Sequence, residues 1–577
     1  MRLRDYAALA ALAVAAACGS STQPIQHNGN GPCPSGANQT TVSLAVGGVR
    51  ALTTPANLDC VSLATSDGTA GSFLIVAGNA DTQPDVMGSY DLAVAQPTGA
   101  SAASTSVAAR VRSASIVQPS IGAASSVAEG RFRAMERRVL HLDRPAARSA
   151  AAAFMRRAST GVRAESVPNV GDTLTFKVPN ANAQNACTNF TTQRAVVETV
   201  GQHGIILQDI TAPTGGFTTA SFDSIQTEFD QIIYPTDTAH FGSPSDIDNN
   251  GHVYLLFTPQ VNAATARGSN GILAGFFFDG DLFASTGANS CAESNESEVF
   301  YLLTPDPTGK FSDARSTSEV RQNIRGTIAH EFQHMINAGV RLLSEGAPDE
   351  ALWMNEGLSH FAEELVGRAE DGFPDSQKLD INDVADFPSL DNFNAFFGQN
   401  MVRLREFMHQ PGALGATSQH ADTSLAVRGA AWSLLRYSAD HYANGNVAAF
   451  TRALVAGPDT GLSNLAARTG VTFDTVAAGW LPALYASDDS VASLADRYTF
   501  LSWNMRSIEA AVNQGVFPLV AAQVSAGNTA SGTVASAAAN YYVVGVPATG
   551  TVLLGELSPN GGPVAYPGAR LYVVRLR

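Results

Sequence analysis

His330-Glu331-Phe332-Gln333-His334 and, shortly after it, Trp353-Met354-Asn355-Glu356-Gly357-Leu358-Ser359-His360-Phe361-Ala362-Glu363-Glu364 decide how this chain is read. The first stretch spells H-E-x-x-H. Two histidines four apart share one face of a helix, so both imidazoles can reach a single metal ion. Glu331, one residue after the first histidine, is placed to act as a base on a water activated by that metal.

The surrounding residues predict the helix. Ser316-Thr317-Ser318-Glu319 is a capping box. Val320, Ile324 and Ile328 recur every four residues as a buried stripe, and Asn337-Ala338-Gly339 predicts the helix end at Gly339. A catalytic zinc takes three protein ligands and keeps one position open. Glu356 follows His334 by 22 residues, enough for a turn and an antiparallel return helix. Pro348, Asp349 and Glu350 predict the start of that helix, and Leu358, Phe361, Ala362 and Leu365 give it an apolar face. The predicted metal ligands are therefore His330, His334 and Glu356, with Glu331 as the catalytic base.

H-E-x-x-H with N-E-G about twenty residues later resembles the gluzincin metallopeptidases. Asn355-Glu356-Gly357-Leu358-Ser359 is similar to the third-ligand segment of the thermolysin family. That family keeps an aspartate at the next position, where it orients a zinc histidine. This chain has His360 there, and Glu363 is the substitute expected to hold a ligand imidazole. Asn355 and His360 are expected to stand close behind the ligands as well. The two phrases together most resemble the hyicolysin family of neutral metalloendopeptidases, over roughly residues 170–487. The resemblance implies an α+β catalytic domain, with a twisted-sheet lobe and a helical lobe. It also implies that an edge strand holds an extended substrate by main-chain hydrogen bonds, with His252–Phe257 or Val299–Leu303 expected in that place.

At 577 residues the chain has room for several domains, and a net charge of −16 argues against a nucleic-acid partner. Arg2 and Arg4 precede a short apolar run from Ala7 to Ala17. Ala15-Ala16-Ala17-Cys18-Gly19 resembles a bacterial lipobox, so residues 1–18 read as a lipoprotein-type signal with Cys18 as the lipidated residue. Plain signal cleavage after Ala17 is the other reading. Either way the chain is expected to be exported, to the bacterial cell envelope or beyond, with a membrane contact only through the lipid. Cys33, Cys60, Cys187 and Cys291 then read as disulfides, paired by domain as Cys33–Cys60 and Cys187–Cys291.

Along the chain, 19–38 is a Gly/Asn/Pro-rich tether, and 39–97 shows the short apolar alternations of a small β-sandwich. Residues 98–165 are rich in Ala, Ser and Arg and read equally as a propeptide-like segment or a solvated linker. The zinc metallopeptidase domain is expected over 166–520, and a second, C-terminal β domain over 526–577. Within the catalytic span, Asp246-Ile247-Asp248-Asn249-Asn250-Gly251 looks like the start of a calcium loop using Asp246, Asp248 and Asn250, but position twelve is Phe257 rather than a glutamate. A polar hairpin turn is the plainer reading. The helix predicted over Ala426–Tyr442 could close the cleft and supply an oxyanion partner; Tyr437 and His441 are the first candidates, then His420 and Arg428.

The expected activity is zinc-dependent hydrolysis of peptide bonds in proteins outside the cytoplasm, with Glu331 as general base. An aminopeptidase of the same type would carry a G-x-M-E-N signature, which is not found here. A lipid-anchored, non-catalytic binding or adhesion protein with a decayed site is the alternative from another class; intact ligands and an intact Glu331 argue against it.

Overall fold

The computed structural model describes residues 32–34, 36–95, 149, 152–154 and 166–577, apart from 181–185, 270, 288–289, 344–346 and 387. The lipobox with Cys18, the tether up to residue 31 and nearly all of the Arg-rich segment lie outside the described residues. Among the described residues, no helix is long and apolar enough to cross a membrane.

The span of residues 166–520 is α+β, as expected. A six-stranded mixed sheet runs in the order β10-β11-β9-β8-β7-β6, from Gly275–Phe277 (β10), Val299–Leu302 (β11), Val253–Phe257 (β9), Gly204–Asp209 (β8), Phe190–Val200 (β7) and Thr173–Pro179 (β6). β9 and β11 pair in parallel, and every residue of both is buried. That explains their uninterrupted apolar sequences, Val-Tyr-Leu-Leu-Phe and Val-Phe-Tyr-Leu. It also removes both from the sheet edge, contrary to expectation. The edges are β6 on one side and, on the other, β10, three residues long and antiparallel to β11. So short a strand, opening on a glycine, leaves no periodic signal in the sequence.

Helix α1 (Thr219–Glu228) continues through a wide turn at 229–233 into α2 (Tyr234–Phe241). The motif helix α3 spans Thr317–Leu343. Its capping serine acts as predicted, the Ser316 hydroxyl accepting from Glu319 N at 3.2 Å. It does not end at Gly339: the glycine is inside the helix, and a Cβ there would come within 3.2 Å of Ser245. The residue serves close packing rather than a left-handed cap. The return helix α4 spans Leu352–Asp371 and ends at Gly372, whose φ of 73° is the left-handed cap expected of glycine. It starts later than Pro348 suggests because Glu350 turns away to pair with Arg341 and accept from Gly461 N. Further helices follow, among them α5 (Gly398–His409), α6 (Leu425–Tyr442) and α7 (Phe473–Ala486).

The two outlying β segments do not form separate domains. β1 (Thr40–Leu44), β2 (Val49–Leu52), β3 (Val61–Thr65), β4 (Gly71–Asn79) and β5 (Met87–Ala95) interleave with β12 (Ala522–Gln523), β13 (Thr529–Ala535), β14 (Ala538–Val546), β15 (Val552–Leu557) and β16 (Ala569–Arg575). The result is one sandwich of two sheets, β1-β3-β15-β5-β13 and β12-β14-β4-β16-β2, each built from both ends of the chain. β4 shows why. Phe73, Ile75 and Ala77 face the sandwich interior, whereas Leu74 and Val76 belong to the core shared with the 166–520 span. A strand buried on both faces needs partners on both sides, and β14 and β16 supply them. Tyr541 and Tyr572 join the same shared core, and the Tyr541 hydroxyl donates to Leu481 O on α7 at 2.9 Å. Both expected disulfides, Cys33–Cys60 and Cys187–Cys291, are formed.

Candidate metal centre

α3 and α4 pack against each other and bring the sequence-predicted ligands to one point. His330 Nε2 and His334 Nε2 face each other at 3.1 Å. Glu356 Oε2 lies 3.6 Å from His330 Nε2, and Glu356 Oε1 lies 3.9 Å from His334 Nε2. All three residues are buried. Ligands at about 2.0–2.1 Å from a tetrahedral zinc stand roughly 3.3–3.4 Å apart, which is the scale of this triangle. The opposite ring atoms fix the tautomers. His330 Nδ1 is 2.7 Å from Glu363 Oε1, and His334 Nδ1 is 3.2 Å from Asn355 Oδ1 and 3.0 Å from Ser359 Oγ. With Nδ1–H donated outward on both rings, two Nε2 lone pairs and a carboxylate converge on one spot. Such a set repels itself unless a cation sits between, so the residues present fit a zinc-type ion.

The electrostatics agree. Burial opposes a charged His330, but Glu356 and Glu363 outweigh it and push its pKa up to about 9 in the metal-free protein. The site thus attracts positive charge, a proton in one state and a metal in the other. Burial works to raise the Glu363 carboxyl, yet Arg403 and the two neighbouring imidazoles hold it well below the usual range. Arg403 Nη1, from α5, stands 3.3 Å from Glu363 Oε2.

Glu363 therefore takes the place expected for it, as the carboxylate behind His330. His360 does not touch a ligand nitrogen. Its Nδ1 lies 2.8 Å from the same Glu363 Oε1, its ring centroid 4.7 Å from that of His330, and burial with Arg403 nearby pulls its pKa down to about 3. Glu363 stands one helical turn along α4 from His360, which burial keeps neutral. Asn355 is where expected, and Ser359 shares its task. Gly357 explains itself too: a Cβ there would lie 2.8 Å from Leu435 Cδ1, so the glycine lets α6 close on α4.

Glu331 Oε2 accepts a hydrogen bond from Phe277 N at 2.9 Å. The candidate base is thereby tied to β10, an edge strand of the sheet, which the sequence reading missed.

Tyr437 and His441 are not at this centre. The Tyr437 hydroxyl donates to Arg497 O at 2.5 Å, and His441 Nε2 is 2.9 Å from Thr499 O. Both sit on the far side of α6 from α4, nine and thirteen residues beyond Arg428; at about 100° per residue these steps reach the opposite face. They pin the 497–499 segment. The residue α6 does bring to the centre is Arg428, a second-rank candidate in the sequence, with Nη1 3.2 Å from Glu356 Oε2.

The calcium-like turn gains a partner from outside the loop: Asp246 and Asp248 converge with Glu298. Asn250 donates from Nδ2 to Asp248 and to the Tyr254 hydroxyl, and its Oδ1 accepts from His252 N. Glu298 precedes β11, too far along the chain for a loop-spacing rule to find. Burial above all pushes its carboxyl up to about 8; Ser245 opposes this and Asp248 adds to it.

A buried H-E-x-x-H helix packed on a return helix that bears Glu356 as the third candidate ligand makes this a candidate three-ligand metal centre with Glu331 in the same helix. No family model matches the chain. Over 143 residues it is 33% identical to the neutral metalloprotease ShpI of Staphylococcus hyicus. The similar stretch covers 25% of this chain and 30% of that protein, so it bears on a metalloprotease relationship and not on the whole of either molecule.

Proposed function

We propose that this chain is an exported zinc metalloendopeptidase of the gluzincin type, lipid-anchored through Cys18 in a bacterial envelope. One observation carries the reading: Glu331 is held beside the triangle of His330, His334 and Glu356 by an amide of an edge strand of the sheet.

Zinc held by His330 Nε2, His334 Nε2 and the Glu356 carboxylate would supply Lewis acidity toward the scissile carbonyl and lower the pKa of a water there. An extended peptide adds to the open side of β10, which sets its scissile bond next to Glu331. Glu331 takes the proton of the attacking water and hands it to the leaving amine. Glu363 and the Asn355–Ser359 pair keep the imidazoles in the tautomer that presents Nε2 inward. Protein or peptide is the substrate class, and the acidic chain makes no provision for nucleic acid.

A structural calcium held by Asp246, Asp248 and Glu298 belongs to the same proposal, since oxygen-only donors suit a hard cation. EGTA should then lower the melting temperature without removing zinc.

Zinc content and casein cleavage of the wild type, Glu331→Gln and Glu356→Ala test the reading. Glu331→Gln should keep its metal and lose cleavage; Glu356→Ala should lose both. Full casein cleavage by Glu331→Gln would overturn it.

A further inference from the structure

The sandwich has no place in the chemistry above, yet a continuous line of contacts runs from it to a metal ligand. Arg428 stands in the first turn of α6, almost fully buried, with its side chain fixed at two points. Nη1 is 3.2 Å from Glu356 Oε2, and Nε donates to Ala421 O at 2.6 Å. Ala421 belongs to the segment 410–424 that joins α5 to α6, and this segment lies on the sandwich. Ala535 N donates to Gly412 O at 2.9 Å, Ala539 N to Pro411 O at 3.2 Å, and Ala416 N to Ala537 O at 3.1 Å. Asp85, between β4 and β5, accepts from Ser418 Oγ at 2.5 Å and from Gln419 N at 3.1 Å. The fit leaves no slack: a Cβ on Gly415 would come within 1.6 Å of Ser536 O, and one on Gly412 within 2.3 Å of Asn540 Oδ1.

We infer that Arg428 is a positioning residue for the ligand Glu356, and that the sandwich, through the 410–424 segment, sets where Arg428 stands. The inference rests on the zinc reading above. Glu356 is fully buried on α4. A guanidinium fixed by a backbone carbonyl can hold Glu356 Oε2 in place beside His330, 3.6 Å away, while Oε1 faces His334 at 3.9 Å. It also offsets the charge of a buried carboxylate, so that the ligand stays ionised and ready for a metal. The sandwich is then part of the metal site's support and not an appended module.

The test measures zinc affinity of the full-length protein by competition with a chelator. Arg428→Met should weaken zinc binding by about 10–100-fold, the usual effect of losing a partner behind a metal ligand. Arg428→Lys should recover part of the loss. Asp85→Gly is the remote probe, because Asp85 has a φ of 61° that suits glycine and its loss frees Ser418 and Gln419. It should weaken zinc several-fold in the same direction, and the double variant should be no worse than Arg428→Met alone. Wild-type zinc affinity in Arg428→Met, or additive effects in the double variant, would overturn the inference. Should Arg428→Met fail to fold, unchanged zinc affinity in Asp85→Gly overturns the sandwich's part in it. Glu356→Ala run alongside separates the two levels: if that variant keeps its zinc, the ligand assignment itself has failed.

Discussion

Glu363 and Glu364 are neighbours in sequence and about 100° apart around α4, and they do different work. Glu363 faces α3, where its Oε1 holds His330 and its Oε2 meets Arg403. Glu364 faces the helical lobe. It accepts from Trp503 Nε1 at 2.8 Å, Trp432 Nε1 at 2.9 Å and Arg368 Nε at 2.8 Å, with Arg436 Nη1 at 3.5 Å. One carboxylate orients a candidate ligand; the other ties α4, α6 and the 503 segment together in a place with no solvent. Support of the candidate centre and of the fold is thus carried by the same residue type, one position apart, and only the partners tell them apart.

The contrast can be broken by mutation. Glu331→Gln marks the chemical extreme: kcat should fall by about 10²–10⁴ with melting temperature and zinc content unchanged, read from peptide hydrolysis beside metal analysis. Glu364→Ala marks the structural extreme. It leaves Arg368 and Arg436 buried against an empty place and should cost about 3–5 kcal/mol in denaturant unfolding, while the molecules still folded bind zinc normally. Glu363→Gln should do the reverse, lowering zinc affinity about 10–100-fold with a smaller change in unfolding midpoint. If both glutamate variants shift stability and zinc affinity in the same ratio, the distinction between them is wrong.

Two smaller effects sharpen it. His330 in the metal-free protein has its pKa raised to about 9, so protons compete with zinc below that value. Zinc affinity should fall as pH falls, roughly tenfold per unit from this residue alone, and rise no further above pH 9. Tyr437→Phe removes one hydrogen bond to Arg497 O and should cost about 1 kcal/mol of stability with kcat unchanged. A large loss of kcat would restore Tyr437 to the chemistry.

The candidate ligands were legible because local spacing alone encodes them: a step of four residues from His330 to His334 on one helix, and 22 residues from His334 to Glu356 on the next. Glu363 was legible for the same reason, since helical periodicity puts it on the face of Glu356. Arg403, Glu298 and β10 were not, because each reaches its place through tertiary packing between elements far apart in sequence. The sandwich shows the same limit. Short apolar alternations at both ends of the chain predict strands, but apolar runs such as Phe73-Leu74-Ile75-Val76 do not say which strands they pair with, and the partners lie some 470 residues away.

That separation has a price in time. β4, the middle of its sheet, is hydrogen-bonded on one side to β14 and on the other to β16. While the chain emerges from a ribosome or a translocon, this apolar strand must wait with both edges bare until nearly the whole polypeptide has been made. Such a strand is an aggregation hazard and closes slowly, because its contacts span most of the chain. Whatever shields β4 during that wait, a chaperone or the nascent chain itself, governs how much protein reaches its native state. Because the sandwich also braces the 410–424 segment, a chain cut short before β14 would carry every candidate metal ligand and still lack the wall behind them.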